Sequence, residues 1–218
     1  EMIKDALASE GVEEIFKMGN EEESEQDIFD EAYMAKIDKI KLPNTKIKLL
    51  QQLLAKAIGE MRKVNKVKGV DFSKKMESLV ALYNERKEND VLRSEVYEEM
   101  AEELTKLIWQ VQKEFKAGDV LGIDFEEKAF YDILKELCNK YDFRYPEEKL
   151  IELAKAVKDL VDGQAKFPDW SKRNDIKSAL KVGLILLLDE YGYPPVERDE
   201  VYTEIFEQAE NFKKNREV

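Results

Sequence analysis

Histidine is absent from the sequence, and Cys138 is its single cysteine. Without histidine the chain lacks the commonest general base, the commonest zinc ligand and every Ser-His or Cys-His nucleophile pair. One cysteine excludes an internal disulfide framework and a cysteine-based zinc site, and it is typical of a reducing compartment. Most familiar enzyme active sites are therefore excluded, and we expect the chain to lie in the cytoplasm.

Glycine, proline and long apolar runs are scarce as well. The 218 residues include 9 Gly and 5 Pro, whereas 39% of the residues are charged and 43% are hydrophobic. This composition is typical of long, ordered elements and not of a flexible or disordered chain. The most apolar run, residues 182–188, has about a third of the length that a transmembrane helix needs. We therefore expect neither a targeting segment nor contact with a membrane.

The charge of the chain is unevenly distributed. A net charge of −12 argues against a globally basic nucleic-acid-binding protein. Residues 36–75 nevertheless hold twelve basic and three acidic residues, a net of +9 that leaves −21 for the remainder. Such asymmetry can mark a docking face, and the alternative is a solvated face balanced by the chain's own acidic segments. The candidate docking residues, which we call the basic segment, are Lys46, Lys48, Lys56, Arg62, Lys63, Lys66 and Lys68.

Apolar residues recur at helical spacing along nearly the whole chain, and no run of four or more residues alternates strictly between apolar and polar. We therefore predict an all-α fold, a bundle of about eight to nine helices without a sheet. An acidic run at residues 21–27 is expected to be a solvated loop that leads into a helix. The predicted helices comprise a short pair before residue 17 and helices near residues 44–64, 71–89, 94–116, 124–141, 146–163, 170–191 and 199–213.

Several residues are expected to set the helix ends. Asp124 and Glu127 have the spacing of a capping box, and Gly192 can take the left-handed conformation that ends a helix. The helix that begins near residue 44 is expected to end near Val64, Gly69 to close the section that follows it, and Asp71 or Ser73 to cap the next helix. The helix over residues 170–191 is apolar almost all round, so we expect it to be the central and most buried helix.

Candidate chemistry is unspecific. Carboxylates and lysines at residues 126–128, 147–149 and 169–177 have the composition of a metal-dependent nuclease site, but they fall on predicted helices and arise by chance at this charge density. Cys138 lies on an apolar helix stripe and is interpreted as a core residue. The aromatic residues, interpreted as packing rather than base-stacking groups, are Phe130, Tyr131, Tyr141, Phe143 and Tyr145. We assign no catalytic, cofactor-binding or metal-binding residue, and the residues alone predict an acidic interaction domain.

Three stretches of the sequence read KIKLPNTKIKLLQQLL at residues 39–54, NKVKGVDF at 65–72 and YNER at 83–86. They resemble the region after the motor domains in the R (restriction) subunit of type I restriction-modification enzymes. Further stretches of the same C-terminal helical region are AFYDIL at 129–134, DWSKR at 169–173 and YGYPP at 191–195. The structural landmark residues among them are Phe130, Tyr131, Asp132, Trp170, Arg173, Tyr191, Gly192, Tyr193 and Pro194.

The resemblance implies a parent subunit with an N-terminal nuclease domain and two ATP-driven translocase domains, of which this chain is a C-terminal fragment. ATP and Mg²⁺ would serve the parent, a type I site-specific deoxyribonuclease, and no cofactor or catalytic residue is implied for this chain. Residues 1–69 would be a helical segment that follows the motor domains, and residues 70–218 a C-terminal helical domain. A single continuous all-α unit is the alternative organisation.

The function implied by the resemblance is assembly. The helical region would dock the translocase and endonuclease subunit onto a methyltransferase core of modification and specificity subunits. DNA would be reached through the whole complex, and no small-molecule substrate is expected. The alternative is direct contact with duplex DNA along the basic helix of residues 36–75 during translocation, which would make binding strongly salt-dependent.

Overall fold

A computed structural model describes residues 31–89, 93–164, 166, 170–194 and 199–216. Every regular element in these ranges is helical and none is a strand, which confirms the all-α prediction. The predicted N-terminal helical pair and the acidic run at residues 21–27 lie outside the described residues. The helices are α1 (Glu31–Asp38), α2 (Pro43–Val64), α3 (Lys66–Asn89), α4 (Arg93–Phe115), α5 (Ala117–Leu121), α6 (Phe125–Lys140), α7 (Glu147–Gln164), α8 (Asn174–Glu190) and α9 (Asp199–Arg216), with a 3₁₀ turn at Trp170–Lys172.

The chain divides into two compact units. Of the described residues, those up to 60 and those within 71–113 form the first unit, and those within 61–70 and 114–218 form the second. The division expected after residue 69, into residues 1–69 and 70–218, stays a prediction.

The first unit buries the amphipathic stripe of α2 that the sequence predicts. Leu50, Leu54 and Ala57 are fully buried, and their spacing of three or four residues places them on one helix face. On α3 and α4, the rings of Tyr83 and Tyr97 lie 5.8 Å apart. Burial and the hydrogen bond with Tyr97 raise the pKa of Tyr83 to about 12, as is usual for a buried phenol.

Helix α6 is the centre of the second unit, and the prediction that residues 170–191 form the central helix is wrong. Nine of the 16 residues of α6 are buried, because α5, α7 and α9 all pack against it. Helix α8 packs on α7 and α9 and buries one face, represented by Leu180 and Leu184. On its other face Val182 is 54% exposed and Leu186 is 63% exposed. The expected start of this helix at residue 170 is instead the 3₁₀ turn.

Two predicted helix ends are confirmed. The Asp124 carboxylate accepts a hydrogen bond of 2.7 Å from the Glu127 N–H, and the Glu127 carboxylate accepts one of 2.9 Å from the Asp124 N–H. At the end of α8, Gly192 has a φ of +61°. This left-handed turn lets the Tyr193 N–H donate to the Leu188 carbonyl at 2.8 Å, the bond of a Schellman motif.

The predicted end of α2 near Val64 is confirmed, but the next helix does not start after a break at Gly69, contrary to the prediction. Helix α3 begins at Lys66 and runs through Gly69, Asp71 and Ser73 without a break. A Cβ atom at Gly69 would lie 2.6 Å from the Cα of Arg62, closer than non-bonded carbon atoms can approach. Glycine is therefore required here by the close approach of the α2 backbone and not by a turn.

No helix in the described part of the chain is both long enough and apolar enough to cross a lipid bilayer.

Replacing Gly69 by alanine is expected to lower the free energy of unfolding by about 1–3 kcal/mol, because the added methyl group overlaps the Arg62 backbone. Gly59→Ala is the matched control, since Gly59 also lies inside a helix but a Cβ atom there would meet no neighbouring side chain within 4 Å. That control is expected to raise the free energy of unfolding by about 0.4–1 kcal/mol. Urea unfolding followed by circular dichroism measures both, and equal effects of the two substitutions would contradict the assignment.

Candidate functional site

The structure divides the basic segment between the two units. Its first three members, on α2, belong to the first unit, and its last four, from Arg62 to Lys68, belong to the second. Lysines of both parts of the segment form ion pairs within the chain. The ammonium groups of Lys46, Lys66 and Lys68 lie 2.8 Å from Asp38, 2.8 Å from Glu207 and 3.7 Å from Glu114, respectively. Part of the positive charge is thus matched by the chain's own carboxylates, and the docking role of the segment stays a prediction.

The basic segment contains a helix break at a single residue, Asn65, which separates α2 from α3. Asn65 is only 1% exposed, and its side-chain oxygen accepts a hydrogen bond of 3.1 Å from the Lys68 N–H. Asn65 is therefore the N-cap of α3, because an N-cap side chain pairs with the free N–H of the third helical residue. Asparagine is among the preferred N-cap residues, so this was the sequence signal for the helix start that the Gly69 interpretation overlooked.

Helix α9 supplies the remaining partners of the break. The Gln208 side chain accepts from the Lys66 N–H at 3.0 Å and donates to the Val64 carbonyl at 2.7 Å. The Asn211 amide donates to the carbonyls of Arg62 and Lys63 at 3.0 Å each. Helix ends leave backbone groups without intrahelical partners, and these two side chains supply partners for such groups on both sides of the break.

Asp132 on α6 connects the helix break to a buried ion pair. Its carboxylate accepts from the Asn65 amide at 2.7 Å and from the Lys128 ammonium at 2.6 Å. Lys128 also lies 2.9 Å from Glu114, and both Lys128 and Asp132 have side chains only 6% exposed. Burial raises the pKa of Asp132, and the charge and hydrogen bond of Lys128 offset this only in part. These contacts occupy the carboxylate oxygens with protein partners. We call Asn65, Gln208, Asn211 and Asp132 the Asn65 junction.

Two of the three groups that have the composition of a nuclease site, at residues 126–128 and 147–149, form other contacts in the fold, and Asp169 of the third lies outside the described residues. Glu127 caps α6, and Lys128 is paired inside the second unit. The Glu147 carboxylate accepts a hydrogen bond from the Tyr131 hydroxyl, and the Lys135 ammonium lies 3.2 Å from the same carboxylate. These hydrogen bonds, first that of Tyr131, hold the pKa of Glu147 below its usual value. Within the ranges that the structure describes, no three acidic or thiol side chains form a group that could hold a metal ion.

Cys138 and the aromatic residues are core residues, as predicted. Cys138 is 8% exposed, and its thiol lies 3.8 Å from the Tyr193 hydroxyl. Burial raises the pKa of this thiol, which disfavours the reactive thiolate form. The Tyr193 hydroxyl donates to the Leu134 carbonyl at 2.7 Å, and its ring packs edge-on against Phe143 at 5.2 Å. The five aromatic residues interpreted as packing groups are all buried or half-buried against this core.

The landmark residues occupy the second unit. Phe130, Tyr131, Trp170 and Tyr193 are buried in its hydrophobic core, and Asp132 is part of the Asn65 junction. The other landmarks lie nearer the surface. Gly192 forms the turn after α8 beside the half-buried Tyr191 and the exposed Pro194, and Arg173 pairs with Asp175 at 2.6 Å before α8.

A second partly buried charge cluster joins α7 to α9. The Lys213 ammonium lies 2.5 Å from the Asp162 carboxylate, and Lys158 lies 3.4 Å from it. Burial alone would raise the pKa of Asp162, but the hydrogen bond of Lys213 and the charges of both lysines outweigh burial and hold it below its usual value. Asp162 therefore favours the folded state when it is ionised.

Comparison with known proteins gives one family and two relatives. Residues 1–215 match the family model described as type I restriction enzyme HindI endonuclease subunit-like, C-terminal. A Methanocaldococcus jannaschii protein, named as a putative endonuclease subunit of the type I restriction enzyme MjaIXP, is 24% identical over 212 residues. The type I restriction enzyme HindI endonuclease subunit of Haemophilus influenzae is 22% identical over 209 residues.

Both alignments cover 96% of this chain but 19% of the relative. The chain thus spans about a fifth of the length of the curated relatives it matches. No solved structure gives a significant match.

Removing the Asp132 carboxylate is expected to destabilise the second unit. Asp132→Ala leaves the Asn65 amide without its acceptor and Lys128 without its nearest counter-charge, which should cost about 2–4 kcal/mol in the free energy of unfolding. Asp159→Ala is the control, because Asp159 is an exposed aspartate within α7. Its substitution should change the free energy of unfolding by about 0.5 kcal/mol or less. Urea titrations of both variants test the difference, and similar losses in the two would contradict a role for the buried pair.

Asp162 should make stability depend on acid pH. Its pKa in the folded chain lies below the unfolded value of 3.8, so its contribution is present above pH 3.8 and is lost as the pH falls through the lowered folded pKa. The wild-type chain should therefore unfold at a higher urea concentration than Asp162→Asn at about pH 7, and the gap should shrink at about pH 2.5. Asp159→Asn on the same helix should show no such gap. A gap that stays constant with pH would rule out this linkage.

Proposed function

This chain belongs to the C-terminal family of type I restriction enzyme endonuclease subunits related to that of HindI, and from this we propose that it is a helical assembly domain. In this proposal it docks the ATP-dependent DNA translocase and endonuclease subunit onto a methyltransferase core. The core consists of modification and specificity subunits, which are the proposed partners, and DNA is reached through the assembled complex.

The observation that carries the proposal is the exposed apolar face of α8. Val182 and Leu186 lie one turn apart and are 54% and 63% exposed, on a helix whose opposite face is packed in the core. A contiguous apolar patch on an otherwise polar surface is a mark of protein–protein interaction sites. An assembly domain requires such faces, since burying apolar surface is the main source of binding free energy between proteins.

The catalytic steps of the parent are proposed to lie outside this chain. ATP and Mg²⁺ would be bound by other parts of the parent subunit, and the fragment itself would have no catalytic residue and no small-molecule substrate. The pairing of Asp132 supports this proposal. Its buried carboxylate accepts hydrogen bonds from Lys128 and Asn65 and is therefore engaged in holding the fold together. We further propose that the complex acts in the cytoplasm.

Direct contact with duplex DNA is the second candidate function. It is favoured by the exposure of Lys48 and Arg62, two members of the basic segment whose side chains reach solvent. Lys66 and Lys68 would have to exchange their pairing with Glu207 and Glu114 for phosphate contacts. Salt concentration separates the two candidates, because phosphate contacts release counterions and apolar interfaces do not.

Binding of the full chain to the modification and specificity core should be retained between about 50 and 200 mM salt, whereas binding to a non-specific duplex should be weak at both. If the basic segment instead contacts DNA through six or more phosphates, duplex affinity should fall by about a thousandfold over the same range. Biolayer interferometry with immobilised core or duplex measures both affinities.

Arg62→Glu combined with Lys63→Glu separates the two outcomes further. These reversals should leave binding to the core unchanged if the core docks on apolar surface. Salt-sensitive binding to duplex DNA that disappears in this variant would support direct DNA contact as the function of the chain. Absence of binding to the core by the wild-type chain would refute the assembly proposal.

A further inference from the structure

The exposed side of α8 has an apolar middle and an acidic end. Ala179, Val182 and Leu186 are all exposed, and their spacing of three and four residues places them on one side of the helix. Glu190 follows Leu186 after another four residues, Asp189 lies beside it, and both of these side chains are exposed as well. We call these five residues the α8 face. It combines apolar surface with negative charge at the C-terminal end of α8.

The α8 face contains no basic residue. The two basic residues of α8 itself, Lys177 and Lys181, are directed toward α9. The Lys177 ammonium lies over the ring of Phe206, 6.0 Å from the ring centroid, and the Lys181 ammonium lies 3.5 Å from the Asp199 carboxylate. The positive charge of α8 is thus used on a different side of the helix, and the negative charge of the α8 face is not balanced by it.

The carboxylates of Asp189 and Glu190 are unfavourably placed for α8. The C-terminus of a helix carries partial negative charge, so cations stabilise its last turn and anions do not. Helix α8 has no basic residue in its last turn, and neither carboxylate forms an ion pair with a residue that the structure describes. On α7 an acid in the same place is compensated, because Asp162 lies 2.5 Å from Lys213 and 3.4 Å from Lys158. The acidic end of the α8 face is therefore open to a cation from another molecule.

The N-terminal part of this chain and a second copy of it are both poor occupants of the α8 face. Residues 1–30 contain eleven acidic and two basic residues, so their charge has the same sign as that of Asp189 and Glu190. A symmetric dimer would pair the α8 face with itself, which brings carboxylates together and adds no lysine or arginine. The occupant is therefore a different protein that combines apolar side chains with positive charge.

We propose that the α8 face is the docking surface for an apolar segment of a partner subunit that carries lysine or arginine at one end. Apolar side chains of the segment cover Val182 and Leu186, and its basic end pairs with Asp189 and Glu190. Burial of the apolar side chains supplies affinity, and the charged end fixes the direction in which the segment lies along α8. This inference rests on the assembly function proposed above and adds the chemistry that the face recognises.

Reversing the charge of the acidic end tests the proposal. Asp189→Lys combined with Glu190→Lys should weaken binding of the full chain to the modification and specificity core by about tenfold at about 50 mM salt, and the difference from wild type should shrink at about 200 mM. The same substitutions should leave the midpoint of urea unfolding unchanged or raise it, because lysine suits the last turn of a helix. A loss of affinity would then come from the interface and not from unfolding.

Matched variants separate the α8 face from the rest of the surface. Glu152→Lys combined with Asp159→Lys is the control for charge, because both carboxylates are exposed on α7 and the change in net charge is the same. This control should leave the affinity for the core unchanged. Val182→Glu should weaken binding by about tenfold, whereas Val120→Glu, at a residue 89% exposed on α5, should not.

The possible outcomes distinguish this inference from the assembly function. If the core binds the wild-type chain and the variant with both α8 charges reversed alike, the inference is overturned and the assembly function stands. An equal loss of affinity in the α7 control would indicate general attraction between opposite charges and would overturn the inference as well. The same holds if Val182→Glu binds the core as tightly as wild type. If the core does not bind the wild-type chain, the assembly function fails, and this inference fails with it.

Discussion

The break between α2 and α3 lies at Asn65, which is only 1% exposed, and the second unit depends on how the helix ends beside it are paired. Helix ends leave N–H and C=O groups without intrahelical partners, and such groups are costly to bury unpaired. Asn65 caps the new helix itself, whereas Gln208 and Asn211 reach the break from the far end of the sequence. The first and last described parts of the second unit are thereby joined by hydrogen bonds of defined geometry.

Helix α6 connects this junction to the hydrophobic core. Asp132 on one side of α6 pairs with Asn65 and Lys128, and residues on its other sides pack among α7 and α9. A fully hydrogen-bonded polar group in the interior stabilises one helix arrangement, because any shift would leave it unpaired. A unit with such an interior presents its outer faces in a constant geometry. The exposed face of α8 belongs to this unit, and the proposed docking role would require that constancy.

Local patterns in the sequence predicted the elements that depend on local physics. The apolar stripe of α2 and the capping box at Asp124 involve residues at most a few positions apart, and both were confirmed. The burial of α8 was predicted wrongly, because an apolar composition says how much surface a helix can bury and not how many neighbours it will have. Gly69 was misread for a related reason. Glycine is needed at position 69 because the backbone at Arg62 lies so close. The spacing of apolar residues in the sequence does not indicate a close contact between two backbones.

The sequence by itself therefore determined the all-α class, most helix positions and, through its resemblance to restriction subunits, the family. The fold class and the helix positions follow from apolar periodicity and capping, which involve residues close together in the sequence, and the family follows from the order of short sequence stretches. Tertiary structure alone decided that α6 and not α8 is central and that Lys66 and Lys68 pair with carboxylates. Each of these features depends on residues that come from distant parts of the chain. Packing between helices brings them together, and the periodicity of the sequence does not specify that packing.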